Sequence, residues 1–346
     1  MQTMSTATRF LLVSAASVIV IAGIKTASAV IIPILLSGFI AVISAPAFFW
    51  LKAKKIPTIF SLFIVIAVVV VAGLLLASVI GSSVSDFLNS LPLYQSRIDA
   101  VFKNGFIWLA KLGFDFSGAA VSEFFDPAIA MKYVARILSE FGNVLTNGFL
   151  ILLAVIFILL ESSSFNSKIQ TAFGSKADAR FHVDKFLESL KKYMAIKTVV
   201  SLVTGIIITL YLWTLGVKYP LLWGLLAFLF NFIPNLGSIL AAVPAVLMAL
   251  IQFDSAGTAV AVAIGYVIVN IIIGNVVEPK FMGRGVGLST LVVFLSLVFW
   301  GWILGPVGML LSVPLTMTLK IALESNDDSR WVAILLGPEN EYKSDP

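Results

Sequence analysis

The stretch Trp223-Gly-Leu-Leu-Ala-Phe-Leu-Phe-Asn231-Phe-Ile-Pro234-Asn235-Leu-Gly237-Ser238 decides the fold. Eight apolar or small residues run into two asparagines that bracket a proline, and a second apolar run begins at once. A similar notch follows at Trp300-Gly301-Trp302-Ile303-Leu304-Gly305-Pro306-Val307-Gly308, inside a tract with no charge from Gly285 to Leu319. Irregular backbone inside hydrocarbon survives only where it is buried in protein or lines a wet cavity. Interrupted apolar segments that come in pairs are the pattern by which a membrane carrier marks its binding site.

The composition supports this setting. Of 346 residues, 60% are hydrophobic and only 12% are charged, and the mean hydropathy is +1.05. Soluble domains carry about a quarter charged residues, so the chain is expected in a lipid bilayer. The net charge of +5 comes from lysines and arginines beside apolar spans. It reports membrane orientation, since no basic cluster alternates with stacking aromatics as nucleic-acid binding needs. With no cysteine, disulfides, thiolate nucleophiles and cysteine metal sites are excluded. His182 stands alone in a charged segment, so no metal site and no cofactor are expected. Arg9, the apolar run Phe10–Ile24 and Ala27-Ser28-Ala29 imitate a signal peptide. Lys25 and the long apolar segment that follows fit a retained pair of spans better.

Uncharged apolar segments near the roughly 20 residues that cross a bilayer lie at Phe10–Ile24, Ala27–Trp50, Phe60–Ile80, Asn143–Leu160 and Thr198–Gly216. The broken region adds Leu221–Phe232, Leu236–Gln252, Gly257–Val277, Leu288–Ile303 and Val307–Leu323. The expected fold is an all-α polytopic membrane protein with about five or six full spans and two broken-helix hairpins. It divides into a three-span bundle (1–81), an extracytoplasmic helical insert (82–142), and span four with a cytoplasmic amphipathic helix (143–197). A transport region with the two hairpins (198–323) and a short cytoplasmic tail (324–346) complete it. Lys52, Lys54 and Lys55, and then Lys168 to Lys197, fall on one side of the membrane. The positive-inside bias makes that side cytoplasmic and puts the N-terminus there. The two hairpins then enter from opposite faces. The first leg, Leu221–Phe232, measures about 18 Å and is too short to cross about 30 Å of hydrocarbon. Phe165–Ala195 repeats apolar residues every four positions, as an interfacial helix or one packed on the bundle would. Pro92 and Pro127 divide the insert into two or three short helices.

Few side chains in the apolar tracts carry chemistry. Asn231, Pro234, Asn235 and Gly237 form the first notch, where a broken helix frees backbone groups and asparagine both donates and accepts hydrogen bonds. That suits a neutral, hydroxyl-rich solute; the same residues also suit a tight turn that satisfies only itself. Asn270, Asn275 and Glu278 follow. Three residues apart, Asn275 and Glu278 share a face of a regular helix. Glu278, an ionisable group at membrane depth, is the candidate for coupling to protons or cations. The alternative is an interfacial charge paired with Lys280 or Arg284. Ser289 and Thr290 offer hydroxyls to a solute or to their own helix. Gly301, Gly305, Pro306 and Gly308 form a hinge or a close-packed tip. Gly283-Arg-Gly-Val-Gly287 lacks the lysine and spacing of a phosphate-binding loop, and no nucleophile–base pair points to an enzyme.

The first notch, the run Asn275-Val-Val-Glu278-Pro279-Lys-Phe-Met-Gly283-Arg-Gly-Val-Gly287-Leu-Ser289 and the run Gly305-Pro-Val-Gly308-Met-Leu-Leu-Ser-Val-Pro314 resemble the autoinducer-2 exporter family, the PerM-like permeases. The similarity covers essentially the whole chain. It implies a multi-span bacterial inner-membrane transporter of a small furanone-type quorum-sensing signal, and it transfers no residue roles. Other members of the family are proposed to exchange sodium or other cations for protons. The expectation is therefore a non-enzymatic permease that exports a small polar signal, autoinducer-2, with an ion gradient as driving force. A sodium/proton antiporter is the alternative, and an intramembrane enzyme is the reading from another class. The expected partners are that solute and the lipid bilayer, not nucleic acid. The insert and the amphipathic helix leave room for a homo-oligomer of an order the sequence does not set.

Overall fold

The computed structural model describes residues 6–111, 147–173, 177–234, 236–253, 255–282, 287–324 and 329–338. Every regular element among them is a helix: α1 Thr6–Thr26, α2 Ser28–Ala53, α3 Thr58–Lys111, α4 Gly148–Phe173, α5 Ala177–Thr214, α6 Pro220–Phe230 and α7 Gly237–Phe253. Then come α8 Ala256–Asn270, a π-helical segment Ile271–Val277, α9 Glu278–Met282, α10 Thr290–Glu324 and α11 Arg330–Leu336. Five of the described helical segments are long and apolar enough to cross a membrane: Ser28–Ala53, Thr58–Ser83, Glu188–Thr214, Ala256–Phe281 and Thr290–Glu324. Their outward faces are leucine, isoleucine, valine and phenylalanine, among them Phe63, Leu74, Ile206 and Val267. A surface that apolar belongs against lipid.

Three helices outrun the sequence expectation. The third does not end near Ile80; it continues to Lys111 for 54 residues. That is about 81 Å of helix, more than twice the hydrocarbon thickness. Pro92 does not end it, because a lone proline forfeits one backbone bond and kinks a helix whose flanking turns are intact. The short helices expected over 82–142 are thus replaced by α3 as far as Lys111, and the rest of that range, with Pro127, lies outside the described residues. The amphipathic segment Phe165–Ala195 is likewise no separate element. It comprises the end of α4 and the start of α5, on either side of residues 174–176, which are not described.

Contacts divide the chain into two units. One contains Met1–Val65, Asn147–Leu190 and Gly287–Pro346; the other contains Ile66–Thr146 and Lys191–Val286. In the first unit α2 packs on α4. Buried Ser37 donates to Pro33 O of its own helix at 2.6 Å and lies 3.1 Å from Ile151 O of α4. Satisfying a buried hydroxyl in this way also lets two helix backbones approach closely. The long tenth helix breaks at Gly305, whose φ of 65° and ψ of −151° belong to a region that only glycine occupies readily. The legs 290–304 and 306–324 fold back on each other. Trp300 Nε1 donates to Thr316 Oγ1 at 3.0 Å, whereas sixteen residues of straight helix would separate them by about 24 Å. At the base, Lys320 Nζ donates to Gly287 O at 2.8 Å. Near the bend, the Lys25 ammonium at the end of α1 lies 3.9 Å from the Trp302 ring centroid.

In the second unit α6 and α7 form the other hairpin. Its base is clamped by Gln252, which accepts from Lys218 N–H at 2.7 Å and donates to Gly216 O at 2.7 Å. Gly216 takes a φ of 70° to turn the chain there. Truncation by Gln252→Ala removes two hydrogen bonds at an exposed site, so we expect a loss of about 1–2 kcal/mol, read as a small fall in melting temperature with insertion unchanged. Against this hairpin lies α5, at backbone distance. A Cβ on Gly205 would stand 2.8 Å from Gly224 O, and one on Gly224 would overlap the Thr209 hydroxyl. On its other side α5 meets α8, where Gly265 leaves room for the Tyr211 ring and Tyr211 Oη donates to Ala261 O at 2.6 Å. Small residues and interhelical hydrogen bonds are how helices associate where lipid supplies no hydrophobic drive.

Candidate functional site

One face of α5 carries Tyr193, Lys197, Ser201, Thr204 and Ile208, spaced four, four, three and four apart, and all are buried. From Tyr193 to Thr204 this is a polar stripe turned inward, and it runs into the apolar half of the helix. The tip of the first hairpin is tied to it: Asn231 Nδ2 donates to Ser201 Oγ at 2.9 Å. A second tie runs to α8, where Ser238 Oγ donates to Asn270 Oδ1 at 2.7 Å. Between them lies a small cavity lined by Thr204 and Ile208 of α5, Asn231, Ser238, Tyr266 and Asn270, with apolar walls from α6, α7 and the π segment. The space open to a water centre is about 10 Å³, room for one water molecule. In this arrangement the site is closed: no larger solute fits.

The stripe continues along α5 to an ion pair. Lys197 Nζ lies 2.5 Å from Glu278 Oε1, and Lys197 is only 5% exposed. Glu278 therefore pairs with Lys197 rather than with Lys280, which is exposed; the other alternative, Arg284, lies outside the described residues. The π winding explains the geometry. Over Ile271–Val277 the chain turns with i→i+5 spacing, so the register of a regular helix is lost. Asn275 is exposed on the outer face, while Glu278 comes round to Lys197. The shared face expected for Asn275 and Glu278 is replaced by one that joins Tyr266, Asn270 and Ile273 at the cavity. π segments concentrate where function demands an irregular helix.

The remaining candidates sort as follows. Asn231 and Asn270 come together at the cavity. Pro234 is half-buried in the turn and Gly237 is buried against Phe230; Asn235 lies outside the described residues. Ser289 caps α10, its Oγ accepting from Val292 N–H at 3.3 Å, and its own N–H donates to Leu336 O at 3.0 Å. Thr290 is exposed. Gly301, Gly305, Pro306 and Gly308 form the bend of α10 in the other unit, as do Ser289 and Thr290 its start. Glu161, the carboxylate just past the fourth apolar segment, pairs with Lys168 on the exposed surface of α4. Sequence reasoning missed Lys197, Ser201, Thr204, Ser238 and Tyr266. The signal was present in the polar recurrence from Tyr193 to Thr204, which charge counting had absorbed into the orientation argument.

Helices that cross a membrane, a broken hairpin tied at its tip by amide and hydroxyl side chains, and a compensated charge pair define a polytopic membrane transporter. The chain belongs to the AI-2E family of transporters, whose family pattern matches residues 12–326. It is 39% identical over 324 residues to the AI-2 transport protein TqsA of Escherichia coli strain K12, covering 94% of each chain. A candidate transport protein of Haemophilus influenzae is 40% identical over 341 residues, 97% of this chain and 98% of that one. A candidate transport protein of E. coli, YhhT, is 33% identical over 333 residues, 96% of this chain and 95% of that one. The family and the apolar helices make this a multi-pass protein of the bacterial inner membrane.

Proposed function

We propose that this transporter exports a small, neutral, oxygen-rich signal of the autoinducer-2 kind, driven by an ion gradient. The observation that carries the reading is the uncharged polar cluster at the tip of the first hairpin. It lies in a chain closely similar to a protein named for AI-2 transport. Amide and hydroxyl groups exchange hydrogen bonds with a hydroxylated solute at little net cost, whereas a fixed charge there would favour an ion. On this reading Asn231, Pro234, Asn235, Gly237 and Asn270 contact the solute, and Asn275, Ser289 and Thr290 stand along its path. Glu278 couples the gradient, with Lys197 holding its charge. Gly301, Gly305, Pro306 and Gly308 let the second hairpin move. The N-terminus is cytoplasmic, and the two hairpins enter from opposite faces, so that access alternates as they move against the bundle.

Purified protein in vesicles should move labelled autoinducer-2 when a proton or a sodium gradient is imposed, and not when both are collapsed. No movement under either gradient would remove the signal as substrate. A second reading, a monovalent cation/proton antiporter, draws on the Lys197–Glu278 pair, since buried carboxylates with a cationic neighbour serve proton and cation relays. Dye-quench antiport in everted vesicles, with and without sodium, separates the two.

A further inference from the structure

The Tyr266 hydroxyl is buried and has no hydrogen-bond partner, although its side chain, 4% exposed, lines the cavity at the hairpin tip. Burying an unsatisfied hydroxyl costs free energy, so such a group in a folded core calls for a specific reason. Its neighbours around the cavity are each half-committed. The Thr204 hydroxyl donates to Val200 O at 2.9 Å, so its lone pairs face outward from that bond. Ser238 spends its proton on Asn270 Oδ1, and Asn231 spends an amide proton on Ser201. Each retains acceptor capacity. The Tyr266 phenol thus keeps a free proton, and the cavity its side chain lines is bordered by oxygens that can still accept. No charged side chain lines the cavity.

From this geometry we propose that Tyr266, with Thr204, Asn231, Ser238 and Asn270, forms a subsite for one hydroxyl-bearing edge of a neutral solute. Tyr266 is its specificity-determining residue. The proposal rests on the transport reading and deepens it: it says which chemistry the site selects. In the closed state the cavity has room for about one water, the size of the solute hydroxyl it would receive. When the hairpin tip withdraws from Ser201 and Asn270, the five polar side chains surround a space from three sides, and the phenol gains the partner it lacks. A solute carrying a hydroxyl satisfies the phenol and an acceptor together. An ether built on the same ring can accept from the phenol but has no proton for the acceptors beside it, and it is held more weakly on that ground.

The test uses full-length protein in detergent and two neutral probes that share one ring, tetrahydrofuran-3,4-diol and tetrahydrofuran, at matched concentrations. The diol should raise the melting temperature of the wild type more than the ether does. In Tyr266→Phe the diol's apparent affinity should fall about tenfold, the scale of one buried hydrogen bond. Its own melting temperature should be unchanged or higher, because the deleted hydroxyl had no protein partner. A tyrosine held only for packing predicts an unaltered diol effect, and one held through a structural bond predicts in addition a variant that melts lower. Equal response of the wild type to both probes, or an unchanged diol response in Tyr266→Phe, overturns the subsite. Vesicle transport of labelled autoinducer-2 is scored separately, so a protein that selects the diol yet moves no autoinducer-2 refutes the substrate and leaves the subsite standing.

Discussion

Glu278→Gln should lose gradient-driven transport and, with it, part of the protein's stability. The carboxylate is the partner of Lys197, whose ammonium is almost wholly buried. Removing one member of a buried pair leaves the other charge uncompensated, at a cost of about 3–5 kcal/mol. Partial exposure of the Glu278 side chain, 16%, lowers that figure, since the pair is not wholly enclosed in protein. Lys197→Met strands the carboxylate instead and should be the milder loss, because Glu278 can turn toward water while Lys197 cannot. The double variant Lys197→Met with Glu278→Gln carries no stranded charge. It should recover most of the melting temperature yet stay insensitive to the imposed gradient. The three variants therefore separate folding from coupling, which either single substitution alone confounds. A Glu278→Gln protein with wild-type melting and wild-type gradient dependence would rule out any part for the pair.

The sequence made the class of fold plain because bilayer physics leaves it few options. Unbroken apolar runs of the required length must be helices, and the two notches had to be places where helices stop. Gly305 illustrates how local that logic is. A Gly-Pro step inside an apolar run predicts a break, and the backbone at Gly305 takes a conformation other residues avoid. The site was half legible. Asn231 and Asn270 stand out as amides in hydrocarbon, but their partners Ser201 and Ser238 are ordinary residues of apolar helices. Only the packing of α5 against the hairpin and α8 gives them a role. Lys197 was misread for a physical reason: a lysine near a helix end normally reaches for the interface, and its burial requires a carboxylate that arrives from eighty-one residues further along. The π segment was invisible too. Its isoleucines and valines suit a regular helix equally well, so no residue type marks the extra winding.

The bend of α10 yields a graded series whose order follows from what surrounds each glycine. At Gly301 an added methyl would meet the Met309 side chain, with Cγ 2.8 Å away. Methionine is unbranched and adaptable, so Gly301→Ala should insert and transport nearly as the wild type does. At Gly308 the methyl would overlap the Trp300 carbonyl oxygen and crowd the Leu304 side chain. Backbone cannot step aside there without parting the two legs. Overpacking of that kind costs about 1–3 kcal/mol, and it pulls Trp300 from Thr316, whose 3.0 Å bond crosses between them. At Gly305 the obstacle is conformational, since φ of 65° with ψ of −151° is strained by about 1–3 kcal/mol for a residue with a Cβ. Gly305→Ala and Gly308→Ala should therefore both melt well below Gly301→Ala. On the proposal that the second hairpin yields at this bend for access to alternate, their transport should fall further than their stability. Melting in detergent beside initial export rates in vesicles checks both expectations. Gly301→Ala as damaging as Gly308→Ala would mean that the tip is not packed leg against leg, and a Gly305→Ala protein that transports normally would mean that the bend does not move.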